Sequence, residues 1–235
     1  MSRTARLDNV THADLRLAPG FGAAFGDAVN QMPLFLPEFV AAQREYPILF
    51  QREADGNLQA HAILGLDPDE NLFLEGDRWV ARHIPAFARR GPFLIGLTDD
   101  EPVVQVDLDH PRIADAATPG SLAIFQPHGG QARPLEWAIN ALREIHLGRE
   151  MAPVATRIFD ELELVQSVAL EVAVTETHVV RFEDYLAIEP DRIDALEGSA
   201  LARLNAAGLL QPAVFAAASL GNLGTLAARK RARMG

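Results

Sequence analysis

Three strand–turn–strand patterns constrain this chain more than anything else in it. Tyr46 to Arg52 carries the apolar run Ile48-Leu49-Phe50, Asp55-Gly56 is a turn pair, and Leu58 to Leu64 returns as a second strand. Phe93 to Thr98 and Val103 to Leu108 make the second pattern across Asp99-Asp100-Glu101-Pro102. Val104, Val106 and Leu108 share one face of that strand, and Val103, Gln105 and Asp107 share the other. Ser167 to Val174 and His178 to Tyr185 make the third, around Thr175-Glu176-Thr177. Helical periodicity is concentrated later. Leu135, Ile139, Leu142 and Ile145, then Ile158, Leu162 and Val165, mark an apolar face over Leu135 to Val165, with Pro153 expected to kink or divide it. Pro190 to Leu196, Ser199 to Ala207 and Pro212 to Arg229 follow, with Gly208 as the C-cap of the second. Pro37 to Glu45 and Pro85 to Arg90 are the short early helices, the latter closed by Gly91-Pro92. This order predicts an α+β fold with a largely antiparallel sheet built from hairpins and helices concentrated in the C-terminal half. A doubly wound parallel sheet would need strands alternating with helices throughout.

A chain of 235 residues has ample capacity for a core. One domain over 1–235 is expected, with the loop 109–133 as candidate sub-boundary, since it carries Pro111, Pro119-Gly120, Pro127 and Gly129-Gly130. The net charge of −11 argues against a nucleic-acid partner, which needs clustered cations against phosphate. The one dense basic run, Arg229-Lys230-Arg231 and Arg233, has no aromatic residue for base stacking and reads as a solvated helix end. No stretch approaches the about 18 apolar residues of a membrane span. Met1 to Val10 is polar, without the apolar core of a secretion signal, so a cytoplasmic protein is the expectation.

Much catalytic chemistry lacks its residues. With no cysteine there is no disulfide, thiolate metal site or thiol nucleophile. Lys230 is the only lysine among 21 basic residues and lies near the end, a poor place for a Schiff base or a phosphate loop. Gly20-Phe21-Gly22 and Gly26 miss the dinucleotide spacing, no Gly-x-Ser-x-Gly elbow is present, and no cofactor is predicted. None of the seven histidines has the i, i+4 partner of a helical zinc pair. The best metal cluster is Asp107-Leu108-Asp109-His110, two carboxylates and an imidazole at a strand end, which frames the alternative of a metal-dependent oxygenase or hydrolase. A solvated strand end leading into Pro111 explains the same residues.

Between 70 and 93, Arg82, His83, Arg89 and Arg90 lie close to Phe73, Trp79 and Phe87 in an otherwise acidic chain. Guanidinium groups offer planar paired donors to a carboxylate or phosphate, and aromatic faces offer stacking. A surface built by Glu38, Tyr46, Asn71, Trp79, Arg82, Arg89 and Arg90 is therefore the candidate contact for a small anionic or aromatic ligand or a protein partner. The competing reading makes the aromatics core anchors and the arginines a helix C-terminal counterweight.

An ordered set of short patches spans nearly the whole chain. It runs from His12-x-Asp14-Leu15-Arg16-Leu17 through Pro33-Leu34, Glu38-Phe39, Tyr46-Pro47-Ile48, Gly65-Leu66 and Glu70-Asn71-Leu72-Phe73 to Trp79, Arg82, Pro85 and Arg89-Arg90-x-Pro92-Phe93. It resumes at Leu186 to Leu196, Gly208-Leu209 and Ser219-Leu220-Gly221-Asn222-Leu223. The set resembles the SapC-like family of bacterial proteins. Members usually carry an acidic turn before the long helix, where this chain has Phe125-Gln126-Pro127-His128-Gly129-Gly130. The resemblance implies an accessory role: members are often encoded beside outer-membrane uptake receptors and flavin-dependent tryptophan halogenases. The family name, from a surface-layer association, implies the further alternative of a structural surface-layer subunit, which would need export. Together these readings favour a soluble, non-catalytic accessory or binding protein.

Overall fold

A computed structural model describes residues 3–98 and 101–234. In chain order the first strands are β1 (Thr4–Arg6), β2 (Arg16–Leu17) and β3 (Gln31–Leu34), followed by α1 (Phe39–Ala42), β4 (Ile48–Arg52), β5 (Leu58–Ile63), β6 (Leu74–Glu75) and β7 (Arg78–Trp79). Next come α2 (Ala86–Arg89), β8 (Phe93–Thr98), β9 (Glu101–Asp107), β10 (Ile113–Ala114), β11 (Leu122–Ala123) and the long α3 (Arg133–Glu161). β12 (Val165–Ala173), β13 (Val179–Ile188), α4 (Pro190–Asp194), α5 (Gly198–Ala206), α6 (Leu210–Ser219) and α7 (Asn222–Met234) complete the chain. The fold is α+β with antiparallel sheets, as the hairpin signals predict. The turn residues Asp99 and Asp100 lie outside the described residues; the flanking strands pair from Phe93↔Val106 to Thr98↔Glu101.

The chain divides into two compact units, each assembled from separated segments. The first holds Met1–Asp27, Leu74–Val80 and Ala86–His146, which includes all of the 109–133 loop. Its sheets are β1-β9-β8, β10-β2-β11 and the small β6-β7 ladder. Phe93, Val106, Ile124, Leu135, Ala138 and Leu142 form its core, with Val104 and Leu108 packed against them. The face that carries Val104, Val106 and Leu108 is therefore the one that packs inward. Two short strands within 109–133 pair with β2, so this Pro- and Gly-rich stretch is stitched down by backbone bonds.

The second unit holds Ala28–Phe73, Ala81–Pro85 and Leu147–Gly235. Its five-stranded sheet has the order β12-β13-β4-β5-β3, so the first and third predicted hairpins lie side by side. Leu186 of β13 sits opposite Phe50 of β4. Tyr46, Ile48, Leu49 and Phe73 are almost fully buried, and the Tyr46 and Phe73 rings meet edge-on at 4.7 Å.

Three expectations are corrected here. The long helix stops at Glu161 and Val165 opens β12, because Glu163 takes a left-handed φ of 52° and the Leu164 N–H returns to the Phe159 carbonyl. Pro153 lies inside α3 without dividing it. The expected helix from Pro212 to Arg229 is two helices, α6 and α7. At the break the Ser219 hydroxyl accepts the Ile48 N–H at 2.9 Å, and the Asn222 amide donates to the carbonyls of Gln43 and Tyr46 at 2.8 and 3.1 Å. Both ends of the strand-entry turn are thus satisfied by residues that a straight helix would carry away.

The basic end of α7 is not a solvated tail either. Lys230 donates to Glu70 at 2.6 Å and also pairs with Asp67, which raises its pKa, chiefly through the Asp67 hydrogen bond. Arg229 stacks over Phe73 at 4.5 Å, Arg231 donates to the Val174 carbonyl, and Arg233 donates to the Asn71 carbonyl. No single described helix is long and apolar enough to cross a membrane.

Candidate functional site

In the first unit a loop, a short helix and the start of α3 converge on one pocket. The loop is built by Gly20, whose φ of 80° and close approach to the Asp77 carbonyl leave no room for a side chain. A Cβ there would lie 2.9 Å from that oxygen, which already accepts the Phe21 N–H. Phe21 is thereby aimed edge-on at two tryptophan rings, Trp79 at 5.6 Å and Trp137 at 6.3 Å. The Arg112 guanidinium lies 4.8 Å from the Phe21 ring and 4.6 Å from that of Phe25, bonds Asp27 at 2.7 Å, and donates to the Gly20 carbonyl. Arg112 and Asp27 are both buried. Burial lowers the Arg112 pKa and the Asp27 carboxylate opposes that shift. The same mixture of burial and the neighbouring Arg112 charge lowers His110.

Arg89, at the end of α2, makes a two-pronged pair with Glu144 at 3.3 and 2.5 Å. Arg90 donates to the Phe93 carbonyl at 3.0 Å and lies over the Phe87 ring at 4.3 Å. Arg133 and Trp137 come from the first turns of α3 and are exposed. These four arginines and Trp137 line a pocket of about 390 Å³ whose remaining wall is Leu17, Pro19, Ala88, Phe93, Leu122 and Ala138, with small neighbours. No carboxylate, hydroxyl or amide side chain lines it. That volume lies in the ordinary range of small-molecule sites, about 300–1,000 Å³.

The second unit has its own pocket of about 320 Å³, floored by Phe35, Phe39, Phe50 and Phe159. Its charged residues are Glu53, Asp55 and Arg149, of mixed sign. Gly148 there lets α3 approach Phe35 so closely that a Cβ would lie 2.5 Å from the phenylalanine Cβ. Close packing accounts for that glycine.

The residues singled out in the sequence do not share one role. Glu38, Tyr46 and Asn71 are 1%, 0% and 3% exposed. Glu38 accepts the Phe35 N–H at 3.0 Å and lies 3.0 Å from His83 Nε2. The Tyr46 hydroxyl donates to the His83 carbonyl. Glu45 accepts the backbone N–H groups of Arg82 and His83, so these residues hold the segment 81–85 within the second unit while the Arg82 side chain is exposed. Asn71 caps its own turn by accepting the Phe73 N–H at 2.9 Å. Trp79, Arg89 and Arg90 belong to the first unit, Trp79 as Phe21's buried partner and the two arginines in the pocket wall.

Asp107, Asp109 and His110 close a turn. Asp107 accepts the Asp109 N–H at 3.0 Å, Asp109 accepts the Arg3 N–H at 2.8 Å, and His110 Nδ1 accepts the Arg112 N–H at 3.0 Å. Among the described residues, no group of three histidine or acidic side chains is placed to hold a metal ion. Arg112, Arg133 and Trp137, which line the pocket, and the adjoining Phe21–Asp27 loop are marked by no sequence motif. Their only sequence signal is negative: Gly20, Gly22 and Gly26 fit no dinucleotide pattern, yet they shape a loop.

The fold is α+β, and its first unit carries an arginine-lined pocket. The SapC family model matches residues 7–226, and the chain belongs to that family. No curated protein and no solved structure matches it.

Proposed function

We propose that this SapC-family chain is a non-catalytic accessory protein that binds a small ligand in the pocket of its first unit. The observation that carries the reading is the convergence of Arg89, Arg90, Arg112 and Arg133 on one largely apolar cavity in a chain of net charge −11. Guanidinium groups so placed favour an anion, and the apolar wall favours a ligand with a hydrophobic body. The pocket wall offers no histidine, carboxylate or hydroxyl to move a proton or attack a bond, which supports binding over chemistry at this site. The accessory part of the reading rests on family membership.

The test uses 1-anilinonaphthalene-8-sulfonate, a fluorescent aromatic anion, titrated into the full chain. Saturable binding of one molecule is expected, with energy transfer from Trp137. Trp137→Ala should weaken binding roughly tenfold while leaving the unfolding midpoint nearly unchanged, since the ring is 43% exposed. Binding that ignores Trp137→Ala, or no saturable binding, removes this pocket as the site.

A further inference from the structure

The cations of the pocket are unequal, and the inequality points to the class of ligand. Arg112 is neutralised by Asp27 at 2.7 Å, and Arg89 by both oxygens of Glu144. Arg90 donates to the carbonyls of Gly91 and Phe93 and covers the Phe87 ring. Arg133 differs: it is exposed and has no ion-pair or hydrogen-bond partner among the described residues. It also begins a helix of 29 residues, whose N-terminal end carries a partial positive charge. Arg133 is therefore the one guanidinium of the wall whose donors hold no protein partner among the described residues. A phosphate dianion would draw on several cations, and here the others already hold protein partners.

The rest of the wall sets the body of the ligand. The polar side chains in it are guanidinium groups and the Trp137 indole, which donate and never accept. A sugar or polyol would bury hydroxyl protons with no side chain to receive them, and an ammonium group would meet like charge. A carboxylate matches the planar fork of Arg133, and a flat apolar group matches Trp137 one helical turn further on. We infer that the pocket takes a monocarboxylate on a flat apolar body, its carboxylate on Arg133 and its body against Trp137. This rests on the ligand-site reading above and narrows it.

Calorimetric titration of the full chain with 2-naphthoate, its neutral amide 2-naphthamide, and inorganic phosphate tests the class. The acid should bind one to one and about tenfold or more tighter than the amide, the usual scale of one charge-assisted hydrogen-bonded pair. Arg133→Gln should erase that preference, and Arg133→Lys should restore part of it. Both variants should unfold at the wild-type midpoint, because Arg133 is exposed. Equal binding of acid and amide, a preference that survives Arg133→Gln, or competition by phosphate overturns the monocarboxylate assignment and leaves the pocket standing. Failure of every probe to bind overturns the pocket reading itself.

Discussion

His61 shows how much a single half-buried group sets at the residue scale. It lies on β5 opposite Leu49 of β4 and Pro33 of β3, and its Nδ1 is buried without a hydrogen-bond partner. Burial pushes its pKa down from 6.5 to about 4, and a hydrogen bond to the Gln59 backbone opposes this. The unfolded chain takes up a proton near pH 6.5 and the folded chain only near 4, so between these values the unfolded state binds more protons. The contribution is intact above the unfolded value and is lost as pH falls through that window, by roughly 3 kcal/mol in all. The difference in urea-unfolding free energy between wild type and His61→Leu, followed from about pH 7 to about pH 4, should change by that order. Parallel curves would show that the folded state accepts the proton freely. Nothing local marks the His61 Nδ1 as buried, since the neighbours Ala60 and Ala62 suit either face of a strand. The same blindness explains Glu38, Tyr46 and Asn71. They stood out as polar or amphipathic residues in an ordered pattern, but whether such a group meets solvent or a backbone N–H depends on segments far away. Glu38 meets His83, which is 45 residues distant. Arg89 and Arg90 drew notice because they follow Phe73, Trp79 and Phe87 closely in sequence, and they do line the pocket, whereas the place of Arg112 depends on a carboxylate 85 residues earlier.

At the scale of elements, α7 acts as a clamp on the loop from Gly65 to Phe73. Gly65 is required there because a Cβ would lie 2.2 Å from the Glu70 carbonyl oxygen. Glu70 accepts the Leu66 N–H at 3.0 Å and Lys230 at 2.6 Å, and Arg233 holds the Asn71 carbonyl at 3.0 Å. Lys230→Met keeps the aliphatic stem and removes the charge. Because Asp67 is 46% exposed at its side chain, global stability should fall by only about 1 kcal/mol. Local opening should respond more: amide exchange across 64–73 should speed several-fold while exchange in β4 and β5 stays unchanged. Uniform acceleration, or none, would separate Lys230 from the loop. The hairpins of this unit were readable from turn pairs and alternation, which are local. The division between α6 and α7 was not, because Ser219 and Asn222 are positioned by their bonds to Ile48, Gln43 and Tyr46, more than 170 residues earlier.

For the whole molecule, the decisive property is that neither unit is a continuous stretch of chain. The first unit needs nothing after His146, but the second joins Ala28–Phe73 to Leu147–Gly235. Its β4 is covered on one side by β5 and on the other by β13, which comes more than 120 residues later. A chain ended after Glu163 would retain every segment of the first unit and leave β4 with an open edge. Ile48, Leu49 and Phe50 on that edge are at most 2% exposed in the intact fold. The Ile48 N–H would also lose the Ser219 hydroxyl. An apolar, uncharged run such as Ile48-Leu49-Phe50, with its backbone groups unpaired, is a template for association between chains. The shortened chain should therefore elute as large aggregates in size-exclusion chromatography, and Leu49→Lys should partly restore a discrete species by charging the open strand. The full chain carrying Leu49→Lys should instead be destabilised, because there the side chain is completely buried. A shortened chain that elutes as a discrete species and unfolds cooperatively in urea would mean that β3, β4 and β5 hold together without β13, and that the late strands are an addition to the second unit and not a condition of it.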